Sequence, residues 1–125
     1  MKKLFISQPM RGKTKEEIEE TRERVIETAK NIFGEVEVIE SYFSDYNPEN
    51  GCIPLKYLSA SINLLADADI AYFAEGFDEA RGCLIEEECA RKYGIPTAFE
   101  RNGDTIIVYQ NTHEYDSGSK AVNPW

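Results

Sequence analysis

A glutamate on the apolar side of a predicted helix is the residue of this chain whose placement points most clearly to chemistry. The segment from Gly82 to Tyr93 predicts a helix that ends at Gly94. At 100° per residue, the apolar residues that share a stripe with Glu86 are Ile85, Cys89, Ala90 and Tyr93. A carboxylate among apolar neighbours is costly unless it is paired or used. Glu86 is therefore either a catalytic group or half of an ion pair with Arg81 or Lys92.

A second acid, Asp69, stands directly before a predicted buried strand, Ile70 to Ala74. Two carboxylates at short separation serve glycoside chemistry, in which one attacks the anomeric carbon and the other manages protons or orients groups. Asp69 is either the second member of such a pair with Glu86 or a turn residue at the end of its strand.

The first loop of the chain offers groups that suit a phosphate or a sugar hydroxyl. The apolar run Leu4 to Ser7 predicts a strand, and a turn that contains Arg11 and Gly12 follows it. Together with the free amides of the helix that follows, Arg11 could hold an anion, and Ser7 can form a hydrogen bond at the strand tip. The alternative is a loop that does no more than start a helix.

Strands and helices alternate along the chain, which predicts an α/β domain with a mainly parallel sheet. The predicted strands are Leu4 to Ser7, Val36 to Ile39, Ile70 to Ala74, Ile95 to Phe99 and Thr105 to Tyr109. The helices between them start near Thr14, which has the capping-box spacing to Glu17, near Pro54 and near Gly82. Ligands bind such sheets beyond the carboxyl ends of the strands. The loops expected there are Ser7 to Lys13, Ser41 to Ile53 and Glu75 to Arg81.

Composition sets the outer limits of this interpretation. The chain has 125 residues, which is enough for one domain with one core. Its formal charge of −9 argues against nucleic acid polymers and anionic membranes as partners. Three cysteines without ligand spacing and a single histidine predict reduced thiols and no metal site. Because no signal peptide and no long apolar run is present, we expect a cytoplasmic protein.

Three segments resemble the nucleoside 2-deoxyribosyltransferase-like superfamily. They are SQPMRG after the first strand, ADADIAYFAEGF at the third strand, and ARGCLIEEECARKYGIP around the Glu86 helix. The resemblance spans residues 3–98, and the R-G turn is also similar to that of the 2′-deoxynucleoside 5′-phosphate N-hydrolase branch. It implies a single flavodoxin-like or Rossmann-like domain of about five strands, with residues 110–125 as an irregular tail.

The resemblance also assigns roles to individual positions. Glu86 falls at the nucleophile and Asp69 at the acid beside it, while Ser7, Arg11 and Gly12 fall where the hydrolase branch holds a 5′-phosphate. The full set of predicted substrate-binding residues is Ser7, Gln8, Met10, Arg11, Gly12, Gly76, Phe77, Arg81 and Gly82. Two positions depart from the family pattern: Arg81 replaces a serine, and Glu88 replaces the glycine that follows the nucleophile.

The function implied is cleavage or transfer of the N-glycosidic bond of a 2′-deoxyribonucleoside or its 5′-monophosphate, without metal or other cofactor. The alternative is a nucleotide-binding module of the same fold that does not turn its ligand over, and the departures at Arg81 and Glu88 favour it. A flavodoxin-like interaction protein ranks last, because no Ser/Thr-rich phosphate loop follows the first strand. An aromatic loop and a terminal Trp125 further predict a homodimer or a higher homo-oligomer.

Overall fold

The computed structural model describes residues 1–42 and 46–108, and it contains one five-stranded sheet flanked by three helices. Tyr109, Trp125 and the predicted tail 110–125 lie outside the described residues. The strands are β1 (Lys2–Ser7), β2 (Val36–Val38), β3 (Ile70–Phe73), β4 (Thr97–Arg101) and β5 (Asp104–Val108). The helices are α1 (Lys15–Phe33), α2 (Ile53–Leu65) and α3 (Arg81–Lys92), with a short 3₁₀ turn at Phe77–Glu79 before α3.

The sheet order is β2-β1-β3-β4-β5, with the first four strands parallel and β5 antiparallel to β4. The prediction that the first and third strands are central neighbours is confirmed, since Leu4 pairs with Ile70 and Ser7 with Phe73. Both strands are short apolar runs, as strands covered on both faces must be. The order is that of a flavodoxin-like fold, whose ligand crevice opens between β1 and β3 at their carboxyl ends.

Helices cover the two faces of the sheet. One core forms between α1 and the sheet and contains Leu4, Ile6, Val25, Ala29 and Tyr72 among its buried residues. The other forms between the sheet and the pair α2 and α3, and contains Phe5, Phe73, Leu65, Cys83 and Ala90. Successive residues of β1 therefore face opposite sides of the sheet. The side chains of Ser7 and Gln8, at and just after the end of β1, accordingly point toward different helices.

Local sequence signals account for the helix ends. Thr14 and Glu17 form the predicted capping box, in which the Thr14 hydroxyl accepts from Glu17 N at 3.1 Å and the Glu17 carboxylate accepts from Thr14 N at 2.9 Å. Gly34 ends the helix with a φ of 82°, a conformation that a side chain would strain. Glu17 lies beside positive helix-end amides, and its bonds to Thr14 lower its pKa.

The fourth strand is shifted from its predicted position. It was expected at Ile95 to Phe99 and is observed at Thr97–Arg101. Ile95 N instead donates to Ala90 O at the end of α3, and Pro96 has no N–H to give to a sheet. The shift brings Glu100 into the sheet. Beyond it, the Asn102-Gly103 turn has φ values of 54° and 84° at its two residues, and it closes the predicted hairpin with β5.

No helix among residues 1–42 and 46–108 is long and apolar enough to cross a membrane.

Candidate active site

The Glu86 carboxylate lies in a buried polar site between the end of β1, the middle of α2 and α3. Ser7 Oγ donates to Glu86 Oε1 at 2.6 Å, and Ser61 Oγ donates a very short hydrogen bond to Oε2. Glu86 is 7% exposed and Ser7 is 2% exposed. Both carboxylate oxygens are thus held by hydroxyl groups from two other elements, so the orientation of the carboxylate is well defined.

Each of these side chains reaches the site because of its place in its element. Ser7 is the last residue of β1 and has the parity of Phe5, so its side chain faces α3. Glu86 is buried with Cys83 and Ala90 on one face of α3, as its predicted angle required. Ile85 and Tyr93, which were predicted to share that stripe, are exposed instead, because the buried face is centred between Cys83 and Glu86.

Ser61 is a site residue that the sequence prediction missed. It lies on α2 three residues after Leu58 and four before Leu65, so it shares the apolar stripe of that helix. A serine on an apolar stripe is the same kind of signal that identified Glu86, and it could have been used in the same way.

Burial raises the pKa of Glu86 above its ordinary value, and the hydrogen bonds from Ser61 and Ser7 oppose that rise without cancelling it. The neighbouring thiol of Cys83 is also buried, and desolvation raises its pKa to about 11. Cys83 is therefore a protonated, unreactive neighbour at neutral pH. Glu86 is the carboxyl group of this site, and its pKa lies above the ordinary value.

The ion-pair alternative for Glu86 is not found in the part of the chain that the structure describes. Arg81 and Lys92 are exposed, and neither forms an ion pair with Glu86 there. The next carboxylate along the helix, Glu87, does pair with Arg91 at 3.3 Å, which leaves Glu86 as the acid of α3 without a cation.

The expected pairing of Asp69 with Glu86 is wrong. Asp69 precedes β3, at the amino end of the sheet, where its Oδ2 accepts from Lys3 N at 2.7 Å. Ser7 and Glu86 lie at the carboxyl end of the sheet, where Ser7 pairs with Phe73 of β3. Phe73 is four residues after Asp69, so the two ends are about 13 Å apart at about 3.3 Å per residue. Asp69 is exposed and lines a small, mostly apolar cavity at the amino end. Its role there is to tie β3 to β1.

The predicted residues of the first loop divide into two groups. Gln8 is buried at 5% exposure, and its Nε2 donates to Ile18 O at 3.0 Å on the α1 side of the sheet. Met10, Arg11 and Gly12 form a turn near the surface, closed by Lys13 N donating to Met10 O at 3.1 Å. Gly12 has a φ of 78°, which favours glycine there. The exposed Arg11 is free to meet an anion from solvent.

The residues predicted after β3 also take different places. Gly76 has a φ of 86°, and a Cβ there would lie 3.6 Å from Pro9 Cγ, so the first and third loops touch. Phe77 is a core residue, because its ring packs against Phe73 and Phe99 with centroid distances of 5.6 and 5.7 Å. Phe77 is 5% exposed and supports the loop from within.

Gly82 lies one turn before Glu86 on the same face of α3. A Cβ at this position would meet Leu58 Cδ1 of α2 at 4.0 Å. The missing side chain leaves a small gap beside Leu58, which an alanine Cβ could occupy without a clash. Arg81, at the first position of α3, is exposed.

A second buried carboxylate, Glu100, lies on the opposite face of the sheet. Arg24 donates to both of its oxygens at 2.6 and 2.9 Å, Tyr72 Oη donates at 2.8 Å and Glu75 N at 2.9 Å. Burial tends to raise the pKa of Glu100, but the bonds from Arg24, Tyr72 and Glu75 outweigh it and hold the pKa below its ordinary value. Burial likewise raises the pKa of Tyr72 to about 12.

The residues that the structure describes contain no group of three or more His, Cys, Asp or Glu side chains placed to hold a metal ion. Comparison of the chain with protein-family models, with curated proteins and with solved structures gives no match. The geometry around Glu86 is therefore the main guide to function.

Proposed function

We propose that the chain cleaves or transfers the N-glycosidic bond of a 2′-deoxyribonucleoside or its 5′-monophosphate, with Glu86 as the nucleophile. The observation that carries the proposal is a buried carboxylate at the β1/β3 crevice whose only described polar partners are two serine hydroxyls. An acid placed for stability would have a cation beside it, as Glu100 has. The motif resemblance around Gly82 and Glu86 supplies the reaction class.

The reaction follows from the groups present. The ionised Glu86 attacks C1′ through an oxocarbenium-like transition state, the C1′–N bond breaks with its electron pair moving to the base, and the base takes a proton from solvent. Water, or the nitrogen of a second base, then attacks C1′ and releases the carboxylate. The hydrogen bonds from Ser7 and Ser61 orient the carboxylate oxygens of Glu86 toward C1′. Because the carboxylate must be ionised, activity should increase as pH rises through the elevated pKa of Glu86.

A nucleotide-binding module without turnover is the second candidate. The observation in its favour is the position of Asp69, since retaining chemistry places two carboxyl groups about 5 to 5.5 Å apart. With Asp69 at the other end of the sheet, Glu86 is hydrogen-bonded to no carboxylate among the described residues. A site that binds the sugar through Ser7, Ser61 and Glu86 would need no such partner.

The experiment that separates the two candidates is incubation with each 2′-deoxynucleoside and its 5′-monophosphate, followed by chromatography of the free base. The proposal expects base release by the wild-type chain, and a loss on the order of 10³-fold or more in Glu86→Gln, as for removal of a nucleophile. Glu87→Gln is the matched control, because its side chain pairs with Arg91 and touches neither serine.

Two results would contradict the catalytic proposal. One is ligand binding by the wild-type chain without any release of base, which is the behaviour of a binding module. The other is turnover by Glu86→Gln at the wild-type rate, which would move the chemistry to a different residue.

We further propose that the chain associates into a homodimer or a higher homo-oligomer. The support is the set of exposed side chains that the first and third loops carry at the carboxyl end of the sheet, such as Arg11 and Glu75. Sedimentation at micromolar concentration tests it, and a purely monomeric profile would contradict it.

A further inference from the structure

Arg22 is a buried cation that the reaction at Glu86 does not use. It lies on α1, its side chain is 9% exposed, and all its polar contacts with described residues are long. Its Nη1 donates to Ser41 Oγ at 3.3 Å, its Nη2 donates to Ile39 O at 3.4 Å, and Glu40 Oε1 lies 3.6 Å from Nη2. Charge-assisted hydrogen bonds usually measure about 2.7 to 2.9 Å. The guanidinium is therefore only loosely satisfied.

The contrast with the nearby Arg24 shows what a tight partner looks like. Arg24 holds Glu100 with two bonds at 2.6 and 2.9 Å, and those bonds raise its pKa. At Arg22, burial lowers the pKa and Glu40 only partly opposes the effect. A desolvated cation whose nearest described carboxylate is exposed and 3.6 Å away is unfavourable in the folded chain. An anion that reached Arg22 would remove that disadvantage.

Gln8 adds an unpartnered acceptor to the same region. Its Nε2 bonds Ile18 O, one helical turn and about 6 Å along the axis before Arg22 on the same face of α1. Its Oε1 is buried and has no hydrogen-bond partner among the described residues. Ser41 links Arg22 to β1, because its hydroxyl donates to Ile6 O at 2.9 Å. The buried Gln8 Oε1 can accept another hydrogen bond, and the buried Arg22 guanidinium can donate stronger ones than it does. Both groups lie near the carboxyl ends of β1 and β2.

We propose that Arg22 and Gln8 form a subsite for an oxyanion that also carries an O–H, the chemistry of a monoprotonated phosphate group. The anionic oxygens would accept from the Arg22 guanidinium, and the O–H would donate to Gln8 Oε1. In the unliganded chain the Glu40 carboxylate takes the outer place beside Arg22. Its side chain is 83% exposed, so it can turn into solvent when the ligand arrives. The phosphate can be free or part of a nucleotide.

This subsite lies on the α1 face of the sheet, whereas Glu86 lies on the α2 and α3 face. Its existence does not depend on cleavage at Glu86. Binding is therefore measured in the Glu86→Gln chain, where no nucleotide is consumed, with calorimetric titration of inorganic phosphate, a 2′-deoxynucleoside and its 5′-monophosphate. Binding of inorganic phosphate, together with tighter binding of the monophosphate than of the nucleoside, supports the subsite, whatever affinity the Glu86 site has for the nucleoside. Stronger binding of the monophosphate than of phosphate identifies a nucleotide as the source.

Variants test the residues. Arg22→Met should weaken phosphate binding about tenfold to a hundredfold, since charge-assisted bonds are lost. Glu40→Gln should strengthen it about two- to fivefold, because an exposed competing carboxylate is removed. Arg91→Gln, which removes an exposed arginine of α3 and changes net charge as Arg22→Met does, should leave affinity unchanged.

Glu40→Gln keeps the test decisive if Arg22→Met does not fold, because Glu40 is exposed and its substitution leaves the core intact. Equal phosphate affinity in the Glu86→Gln chain with and without Glu40→Gln, or no phosphate binding at millimolar concentration, overturns the subsite. Loss of base release with phosphate binding preserved would instead count against the function proposed for Glu86 alone.

Discussion

Glu86 and Glu100 are two buried carboxylates on opposite faces of one sheet, with exposed fractions of 7% and 6%. They differ in what holds them. Glu100 has a bidentate arginine, a tyrosine hydroxyl and a backbone amide, while Glu86 has two serine hydroxyls and no described cation. The pKa of Glu100 is accordingly lowered and the pKa of Glu86 is raised.

The difference separates a structural acid from one that is available for chemistry. Glu100 binds α1 to β3 and β4 through contacts that favour its charged form, so its ionisation stabilises the fold. Burial of Glu86 disfavours its charged form, so ionisation there opposes folding. A carboxylate that weakens the fold at neutral pH is most simply explained by a use at the crevice.

The largest effect on stability should come from removing the cation that holds Glu100. Arg24→Gln leaves Glu100 buried without its charge partner and should lower the free energy of unfolding by about 2 to 3 kcal/mol, less than for a fully buried pair because Arg24 is half exposed. Arg81→Gln, near Glu86, should change it by less than about 0.5 kcal/mol. Urea unfolding of both variants makes the comparison. Equal losses would mean that Arg81 supports Glu86 after all.

Removing a hydroxyl from Glu86 should have the next largest effect. Ser61→Ala deletes a hydrogen bond to a buried carboxylate and should cost about 1.5 to 2 kcal/mol at neutral pH. It should also raise the pKa of Glu86 further, since that hydroxyl lowers it. Urea unfolding at several pH values measures both effects. A loss that does not shrink on acidification would show that Ser61 acts through packing and not through the Glu86 charge.

The matching deletion at Glu100 should be smaller. Tyr72→Phe removes one donor, but Arg24 and Glu75 N still hold the carboxylate, so the loss should be about 1 kcal/mol. Thermal unfolding checks this value. A loss larger than that of Arg24→Gln would reassign the main support of Glu100 to the tyrosine.

Gly82→Ala should give a small change of the opposite sign. A Cβ there clears Leu58 by 4.0 Å, and alanine is the better helix residue, so stability should rise by about 0.5 to 1 kcal/mol. If the substrate passes Gly82 to reach Glu86, base release should fall in the same variant. Higher stability with unchanged base release would show that the gap at Gly82 has no part in the reaction.

Local patterns were sufficient for most of the fold. The capping box at Thr14, the glycine stops and the two uncharged central strands predicted the α/β sheet and its central pair correctly. The same angular reasoning predicted that Glu86 would be buried, because helical periodicity is a local property. The β4 shift was missed, although Pro96 carried the signal, and Glu100 was left out of the sheet with it.

Which residues meet in each site depends on contacts between distant segments of the chain, and helical or strand periodicity does not predict those contacts. Asp69 was paired with Glu86 because two carboxylates suit glycoside chemistry and because the motif resemblance puts an acid at that position. The structure instead places Asp69 at the amino end of β3 and Glu86 beside Ser7 at the carboxyl end of the sheet. Ser61 and Arg22 each occupy an apolar stripe of their helix and could have been found by the test applied to Glu86. Their partners, Glu86 and Ser41, lie 25 and 19 residues away in sequence, and only the fold shows those contacts.

The free energy of unfolding of Glu86→Gln and Glu100→Gln, measured side by side from pH 8 down to acid, tests the distinction between the two acids most directly and needs no substrate. At neutral pH, Glu86→Gln should be at least as stable as the wild-type chain, because it removes a buried charge whose pKa is raised. That advantage should shrink as pH falls through the elevated pKa of Glu86 and vanish below its ordinary value. Glu100→Gln should be less stable at neutral pH, and its deficit should shrink only as pH falls through the lowered pKa of Glu100. A Glu86→Gln chain that loses as much stability at neutral pH as Glu100→Gln would contradict the account and make Glu86 a second structural acid.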